Sequence, residues 1–339
     1  MNKQIFFLVY FFFVNFICAQ KIQKSDLLFK DQTPLKIKLS VSNDALRLET
    51  DDTTYIKTSL SYYHEQKWQN INISIRARGN FRRSKCYFPP TKIKIKKSKA
   101  KQTLFQGNKR LKLVLPCLLE EEKNDNVIQE FIAYKFYEKI APYHFKTRKV
   151  DIEFNEVDGD KIISHSLKGF LIEDDKRVAE RHGGKIHEKY VHPKAMDHLT
   201  SVQNSFFQFM IGNTDFSVAY QHNGKLLSID GEIYPLPYDF DLSGLVDASY
   251  ATVSSRFGIK SVRQRKYRGF KREGNYVEKV RAQFRDNKAE FLKIVEKQEP
   301  EFELPSEYET TRDFLMSFYE VIEENEKFEK QIIKDLRTR

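Results

Sequence analysis

The chain has 339 residues, of which 40% are hydrophobic, including 28 phenylalanines and 17 tyrosines. A chain of this composition can bury a large core, which excludes a protein that stays disordered. Its formal net charge of +11 favours an anionic partner, such as a phosphate-bearing ligand or an acidic polymer.

The first residues have the pattern of a secretory signal peptide. A basic start is followed by an apolar run from Ile5 to Cys18, and Ala19 then precedes a polar residue. This pattern predicts cleavage after residue 19 and export to the periplasm, the cell surface or the medium. Cys18 is a poor site for a lipid anchor, because bulky residues stand directly before it. No later segment is apolar over a membrane-spanning length, so no transmembrane helix is expected after the signal. Export also makes nucleic acid a weak candidate partner.

Two cysteines, Cys86 and Cys117, remain in the mature chain. In an oxidising compartment they could form a disulfide that ties a basic loop to a later strand. Two buried free thiols are equally compatible with the sequence, because nothing in it fixes the distance between them.

Residues 20–174 are predicted to form a β-rich lobe with one helix. Alternation of apolar and polar residues, typical of a half-buried strand, is clearest over residues 68–78 and 91–97. The apolar stripe of residues 125–140, with a capping residue at its start, predicts the helix. Weaker strand patterns cover residues 34–48, 54–63, 111–115, 148–155 and 164–172.

Residues 175–339 are predicted to form a mainly helical second lobe. A helix over residues 201–211 should end at Gly212 and Asn213. The pair Asp230 and Gly231 predicts a tight turn between strands at residues 225–229 and 233–237. Two segments with charged outer faces, residues 278–296 and 310–336, predict C-terminal helices.

Four polar residues flank this predicted hairpin. Because a hairpin returns the chain to its starting point, Asp239 and Asp241 are expected near Asp215 and Asn223. Carboxylates brought together repel one another unless a cation lies among them, and Mg²⁺ or Mn²⁺ suits oxygen ligands. We therefore predict that Asn223, Asp239 and Asp241 hold a metal, and that Asp215 orients an acceptor hydroxyl. The alternative is that these residues only form turns and a solvated edge strand.

A second group of residues is predicted to hold a nucleotide. Arginine and backbone donors after a strand can surround phosphate groups, and lysines on the next strand can reach them. A helix carboxylate could fix such a lysine, and a carboxylate in the connector between the lobes would lie beside the purine. The alternative is a solvated basic face that aids solubility. The candidates for ATP binding are Arg78, Gly79, Asn80, Lys92, Lys94, Glu130 and Glu173.

Five motifs occur in a fixed order along residues 71–245. They are Ile75-Arg76-Ala77-Arg78-Gly79-Asn80, Lys92-Ile93-Lys94-Ile95, Gly169-Phe170-Leu171-Ile172-Glu173, Gly212-Asn213-Thr214-Asp215 and Pro237-Tyr238-Asp239-Phe240-Asp241. In this order they resemble the CotH (spore-coat protein) kinase family. The resemblance implies an α+β, two-lobed, atypical protein-kinase-like fold, with an antiparallel β N-lobe and a mainly helical C-lobe. In active members such a protein transfers phosphate from ATP to protein with Mg²⁺ or Mn²⁺. The resemblance implies that Lys94 holds the ATP phosphates, Asp215 is the catalytic acid and Asp239 binds metal.

The chain departs from that family pattern at three places. Phe81 and Arg82 stand where the family usually has Ser or Thr, a basic or histidine residue is missing after Asp215, and Asn223 lies further along the chain than usual. These differences leave open a second function, a catalytically inactive exported protein that binds an acidic glycan, a lipid head group or a protein through its basic face. A metal-dependent nuclease or phosphatase is a third possibility.

Overall fold

The structure, a computed structural model, describes residues 26–338. The predicted signal peptide, residues 1–19, and its cysteine lie outside the described residues. Within residues 26–338, none of the helices combines the length and the apolar character needed to cross a membrane.

Seven strands of the first half form a closed barrel. Their order around the barrel is β1, β2, β3, β4, β5, β7 and β6. All neighbours are antiparallel except β1 and β6, which are parallel and close the sheet. The strands are β1 (Leu35–Val41), β2 (Ile56–His64), β3 (Lys67–Ala77), β4 (Thr91–Lys94), β5 (Arg110–Val114), β6 (Thr147–Asp158) and β7 (Lys161–Glu173).

This barrel corrects the fold class that the sequence predicted. The two-lobed, kinase-like fold with an antiparallel N-terminal sheet is wrong, because β1 pairs in parallel with β6 and the sheet has closed on itself. The pairing runs from Leu35 opposite Val150 to Val41 opposite Glu156. Alternation along a strand specifies which face is buried but not which distant strand lies beside it. The pattern therefore located these strands without showing the parallel closure.

Side chains of β3, β4 and β5 show why the barrel forms and where it carries charge. Ile75 lies opposite Ile93, and Ile93 lies opposite Leu111, and all three are buried in the barrel interior. Because side chains alternate along a strand, the neighbouring positions point outward. There a row of cations crosses the same strands, since Arg76 lies opposite Lys92 and Lys92 opposite Lys112.

A second core packs against one part of the barrel wall. It contains the helices α5 (Asn124–Ile140) and α7 (His198–Met210) together with Val114, Phe170 and Ile172 of the barrel. A three-stranded sheet of β8 (Lys185–His187), β9 (Gly224–Ile229) and β10 (Glu232–Pro237) adjoins it. The division of the chain at residue 174 stays a prediction. The helices are α1 (Leu27–Lys30), α2 (Asn43–Leu48), α3 (Asn80–Lys85), α4 (Lys97–Ala100), α5 (Asn124–Ile140), α6 (Asp175–Arg181), α7 (His198–Met210), α8 (Tyr276–Asp286), α9 (Lys288–Glu296), α10 (Pro305–Glu323) and α11 (Asn325–Phe328).

Most predicted elements occur within a few residues of their expected bounds. The helical segment predicted over residues 278–296 is divided into α8 and α9, and the one predicted over residues 310–336 is divided after α10. A strand prediction also differs. The strand predicted over residues 34–48 ends at Val41, and α2 follows directly. Ser42 begins that helix, because its side chain accepts a hydrogen bond from the backbone nitrogen of Ala45. The capping serine therefore overrides the strand pattern beyond Val41.

Cys86 and Cys117 form a disulfide that links the end of α3 to the segment after β5, with their Cα atoms 4.4 Å apart. The backbone nitrogen of Tyr87 also donates to the carbonyl of Cys117. Of the two alternatives that the sequence left open, the paired state is the one present. The bond fixes α3, and with it Arg82, against the barrel wall.

We expect the double variant Cys86→Ser/Cys117→Ser to lower the free energy of unfolding by ~3 kcal/mol. The disulfide spans 31 residues of sequence, and its removal returns chain entropy to the unfolded state. Urea unfolding of both proteins, with and without a thiol reductant, measures the difference. The reductant should destabilise the wild type and leave the variant unchanged. Equal stability of the two oxidised proteins would contradict the prediction.

Candidate functional site

The β9–β10 hairpin brings the two predicted acidic segments together. Asp230 and Gly231 form its turn with φ angles of 51° and 88°, which a two-residue type I′ turn requires. Beyond the hairpin, the backbone nitrogen of Tyr238 donates to the carbonyl of Asn223 over 3.2 Å. The predicted return of the chain is confirmed, and Asp239 therefore follows directly after a residue that is paired with Asn223.

Asp215 is held by two neighbours on the same loop. The Asn223 amide donates to Asp215 Oδ2 over 2.8 Å and to its backbone carbonyl over 2.7 Å. His222 Nε2 lies 3.0 Å from Asp215 Oδ1. The Asp215 side chain is still 40% exposed, so a ligand can reach it. These contacts present an oriented carboxylate at the surface of the site.

The other three carboxylates surround Arg82. From α3, this guanidinium contacts Asp239, lies 3.7 Å from Glu130 and lies 3.3 Å from Asp241. Burial raises the pKa of Glu130 and of Asp241. Burial also acts to raise the pKa of Asp239, but Arg82 and Arg78 outweigh it and hold that pKa below its usual value. The cluster therefore contains a cation from the chain itself.

This arrangement bears on the predicted Mg²⁺ or Mn²⁺ site. Asn223 turns its amide toward Asp215, whereas Asp239 and Asp241 face Arg82. The three predicted ligands thus share no open position, and across residues 26–338 no group of three or more His, Cys, Asp or Glu side chains is arranged to hold a metal. The residues as placed do not fit a metal, because Asn223 is turned to Asp215 and a guanidinium lies between Asp239 and Asp241. Metal binding stays a prediction that requires Arg82 to move.

Two half-buried cations, Lys112 and Arg78, lie near Asp239. Lys112 Nζ lies 3.8 Å from the ring centroid of Tyr238 and 4.8 Å from that of Phe145. Arg78 Nη2 lies 3.7 Å from Asp239. Within the described part of the chain, Lys112 Nζ and Arg78 Nε and Nη2 are buried without a hydrogen-bond partner. Burial and the nearby charge of Arg78 lower the pKa of Lys112 to about 7.

The other predicted nucleotide ligands are placed less centrally. Lys94 is exposed, and its Nζ lies 5.5 Å from the ring of Tyr55. The predicted partner of Lys94, Glu130, faces Arg82 instead. Lys92 lies between Arg76 and Lys112 in the outward row, and its charge reaches Asp174.

The remaining predicted nucleotide ligands lie in the loop at Gly79 and in the connector that contains Glu173. Gly79 has a φ of 73° and lines a cavity of about 350 Å³ together with Arg78 and Arg83. Asn80 begins α3, but its side chain lies outside the described part. Glu173 is buried, and it lies 3.2 Å from the Arg181 side chain. Its carboxylate is therefore engaged within the protein, next to the site.

Lys112 is the residue that the sequence analysis did not select. The sequence does indicate that Lys112 faces away from the core, because it stands between the apolar residues Leu111 and Leu113 of a strand. Its burial was not visible in the sequence, since Tyr238 and Phe145 come from distant segments. Arg82 was considered there only as a departure from the family pattern, although it lies among the carboxylates.

Comparison with known proteins gave no match, either to a family model or to a curated protein. The resemblance to the CotH kinase family therefore stays a prediction from motifs. The fold and site together define a mixed β-barrel with a helical layer on one side. Buried cations and carboxylates meet where that layer covers the barrel wall.

Proposed function

We propose that the chain binds the phosphate groups of ATP beside Asp239 and transfers the terminal phosphate to a protein hydroxyl. The observation that carries this proposal is the set of buried nitrogen atoms on Arg78 and Lys112 that lack hydrogen-bond partners among the described residues. A buried cationic nitrogen without an acceptor is costly, and an anion that completes its hydrogen bonds removes that cost. Phosphate oxygens supply both the charge and the acceptors.

Asp215 acts on the protein hydroxyl that receives the phosphate. The hydroxyl oxygen attacks the terminal phosphorus, the bond from that phosphorus to the bridging oxygen breaks, and ADP leaves with this oxygen. The hydroxyl proton passes to Asp215, whose orientation is set by His222 and Asn223. Phosphoryl transfer depends mainly on positioning and charge compensation. Arg78 and Lys112 compensate the phosphate charge, and no part of this step depends on the predicted Mg²⁺ or Mn²⁺.

We expect Asp215→Asn to lower phosphate transfer about 100-fold, because an amide cannot accept the hydroxyl proton. The measurement is transfer of labelled terminal phosphate from ATP to a generic protein acceptor such as casein. Asp230→Asn is the matched control, since Asp230 is an exposed aspartate on the hairpin turn, and its transfer should equal that of the wild type. Transfer that persists in Asp215→Asn would contradict the assigned role.

A second function, binding of an anionic ligand without transfer, is favoured by one observation. Arg82 supplies a fixed cation among Glu130, Asp239 and Asp241, where a transfer enzyme would otherwise bind a divalent metal. Melting of the wild type with ATP, ADP, phosphate and an acidic polysaccharide compares the candidate ligands. Stabilisation by one of these anions together with absent transfer would establish the second function over the first.

A further inference from the structure

A cavity of about 720 Å³ has Asp215 among its lining residues, together with residues of several other loops. Its size falls in the range of ligand-binding cavities. Asp215 is the only acidic residue among the described residues that line it. The same described lining contains four arginines, which are Arg256, Arg268, Arg272 and Arg337.

Arg268 connects this cavity to the loop of Asp215. Its Nη1 donates to the backbone carbonyls of Thr214 and Phe216 over 2.8 Å each. Its guanidinium also stacks near two rings, 4.6 Å from the centroid of Phe216 and 4.4 Å from that of Phe257. Arg268 therefore holds the Asp215 loop in place while it adds positive charge to the wall.

The other arginines are fixed or exposed without a carboxylate partner. Arg272 donates to the carbonyls of Lys194 and Met196 over 3.2 and 3.0 Å. Arg337 stacks 4.3 Å from the ring of Phe270 and is exposed, as is Arg256. In residues 26–338, none of the four cavity arginines has a carboxylate within ion-pair distance. Burial and the charge of Arg337 lower the pKa of Arg268 to about 10. The described lining of the cavity thus carries four guanidinium groups and a single carboxylate, and its net charge is positive.

Two exposed tyrosines lie at the edge of the cavity. Tyr190 and Tyr220 are 57% and 79% exposed, and their ring centroids lie 5.4 Å apart. Both line the cavity. Exposed aromatic pairs of this kind are enriched at protein interfaces, where a ring packs against a partner and its hydroxyl stays solvated.

We propose that this cavity binds an acidic segment of the acceptor protein and places its hydroxyl beside Asp215. The role as acceptor site rests on the proposed phosphate transfer. Carboxylates along an extended peptide match the fork of donors on Arg256 and Arg337, while the chain packs against the two tyrosines. Electrostatic complementarity of this kind sets the choice of partner and the rate of encounter.

The test is a binding titration with fluorescent peptides in the absence of nucleotide. One peptide contains serine among aspartates and glutamates, and the other carries asparagine and glutamine at those positions. The wild type should bind the acidic peptide about tenfold more tightly than the neutral one, and Arg256→Ser/Arg337→Ser should lose about tenfold in affinity for the acidic peptide. The matched control is Arg285→Ser/Arg312→Ser, which removes the same charge from two exposed helix positions. It should bind like the wild type, and melting temperatures of both double variants check their folding.

Three outcomes would overturn the inference. They are equal binding of the two peptides, an equal loss in the control variant, and an acidic polysaccharide that binds more tightly than the peptide and depends on the same arginines. Because the titration contains no nucleotide, it separates this inference from the proposed transfer. Arginine-dependent peptide binding without any phosphate transfer would contradict the proposed function but not the peptide site. Phosphate transfer that prefers the neutral peptide would contradict the acidic acceptor but not the proposed function.

Discussion

Arg82→Ser is expected to lower the free energy of unfolding by ~3–5 kcal/mol, because it leaves buried carboxylates without their cation. Arg82 contacts Asp239 and lies within 4 Å of Glu130 and Asp241, and its side chain is only 8% exposed. The three carboxylates would then repel one another at neutral pH, and protons would neutralise part of their charge. The variant should therefore be relatively more stable in mild acid. Urea unfolding at several pH values measures the effect.

Mn²⁺ should restore part of the stability that Arg82→Ser loses. With the guanidinium gone, Glu130, Asp239 and Asp241 are left around its vacated position, and small side-chain shifts would let their oxygens bind a hard divalent cation. A ligand that binds only the folded state raises its stability by mass action. Mn²⁺ should therefore raise the melting temperature of the variant and leave that of the wild type nearly unchanged. Lys85→Ser, an exposed change on the same helix, serves as the control and should behave like the wild type.

The outcome decides whether Arg82 stands in for a metal. If Mn²⁺ stabilises the wild type as strongly as the variant, Arg82 leaves the cluster readily and the predicted metal site is accessible. If Mn²⁺ stabilises neither protein, the cluster is not a latent metal site. The first result would favour phosphate transfer with metal, which the sequence motifs imply. Stabilisation of the variant alone would favour the function without transfer.

Local signals in the sequence were sufficient to locate most of the strands and the hairpin. The Asp230-Gly231 turn predicted that Asp239 returns near Asn223, and their neighbourhood is confirmed. The two residues that define the site, Arg82 and Lys112, depend on long-range packing instead. Arg82 reaches Asp239 across 157 residues of sequence, a distance over which a single sequence gives no pairing information. The parallel closure of β1 on β6 was not visible for the same reason.

Electrostatic roles were harder to predict than positions. In the sequence, the basic and acidic clusters suggested two faces with a ligand and a metal between them. In the structure, the basic residue Arg82 lies among the acidic residues and compensates part of their charge. The net charge of the chain could not reveal that Arg82 lies among carboxylates, because it counts each charged residue regardless of its partner. In the described part of the chain, Lys112 Nζ and Arg78 Nε and Nη2 are buried nitrogen atoms of the basic residues that have no hydrogen-bond partner.

Lys112→Met is expected to weaken binding of ATP about 10- to 100-fold at mildly acidic pH, because it removes a charge-assisted hydrogen bond to phosphate. Methionine fills similar space against Tyr238 and Phe145 without a charge. Calorimetric titration of ATP at several pH values measures the affinity. Lys57→Met, an exposed change on strand β2, should bind ATP like the wild type.

The pH dependence of ATP affinity in the wild type and in Lys112→Met tests whether the charge of Lys112 causes the difference. The pKa of Lys112 is lowered from 10.5 to about 7 in the folded protein, so above pH 7 the unbound lysine is increasingly neutral. The advantage of the wild type over Lys112→Met in ATP affinity should therefore shrink as the pH rises from 6 to 8.5, and binding should take up a proton. A constant ratio of affinities over this range would contradict the assignment.

Lys112→Met should weaken ATP binding but raise the stability of the folded protein in mild acid. The opposite signs allow a direct effect on binding to be separated from an effect on folding. Between pH 7 and 10.5 the unfolded state binds more protons at Lys112 than the folded state, so this residue makes stability rise with pH. The lowered pKa means that Lys112 destabilises the fold most below pH 7, where the buried amine must carry its charge. Lys112→Met should therefore be more stable than the wild type in mild acid, and this gap should narrow as the pH rises. A variant that binds ATP weakly because it is misfolded would be less stable instead, and urea unfolding distinguishes the two cases.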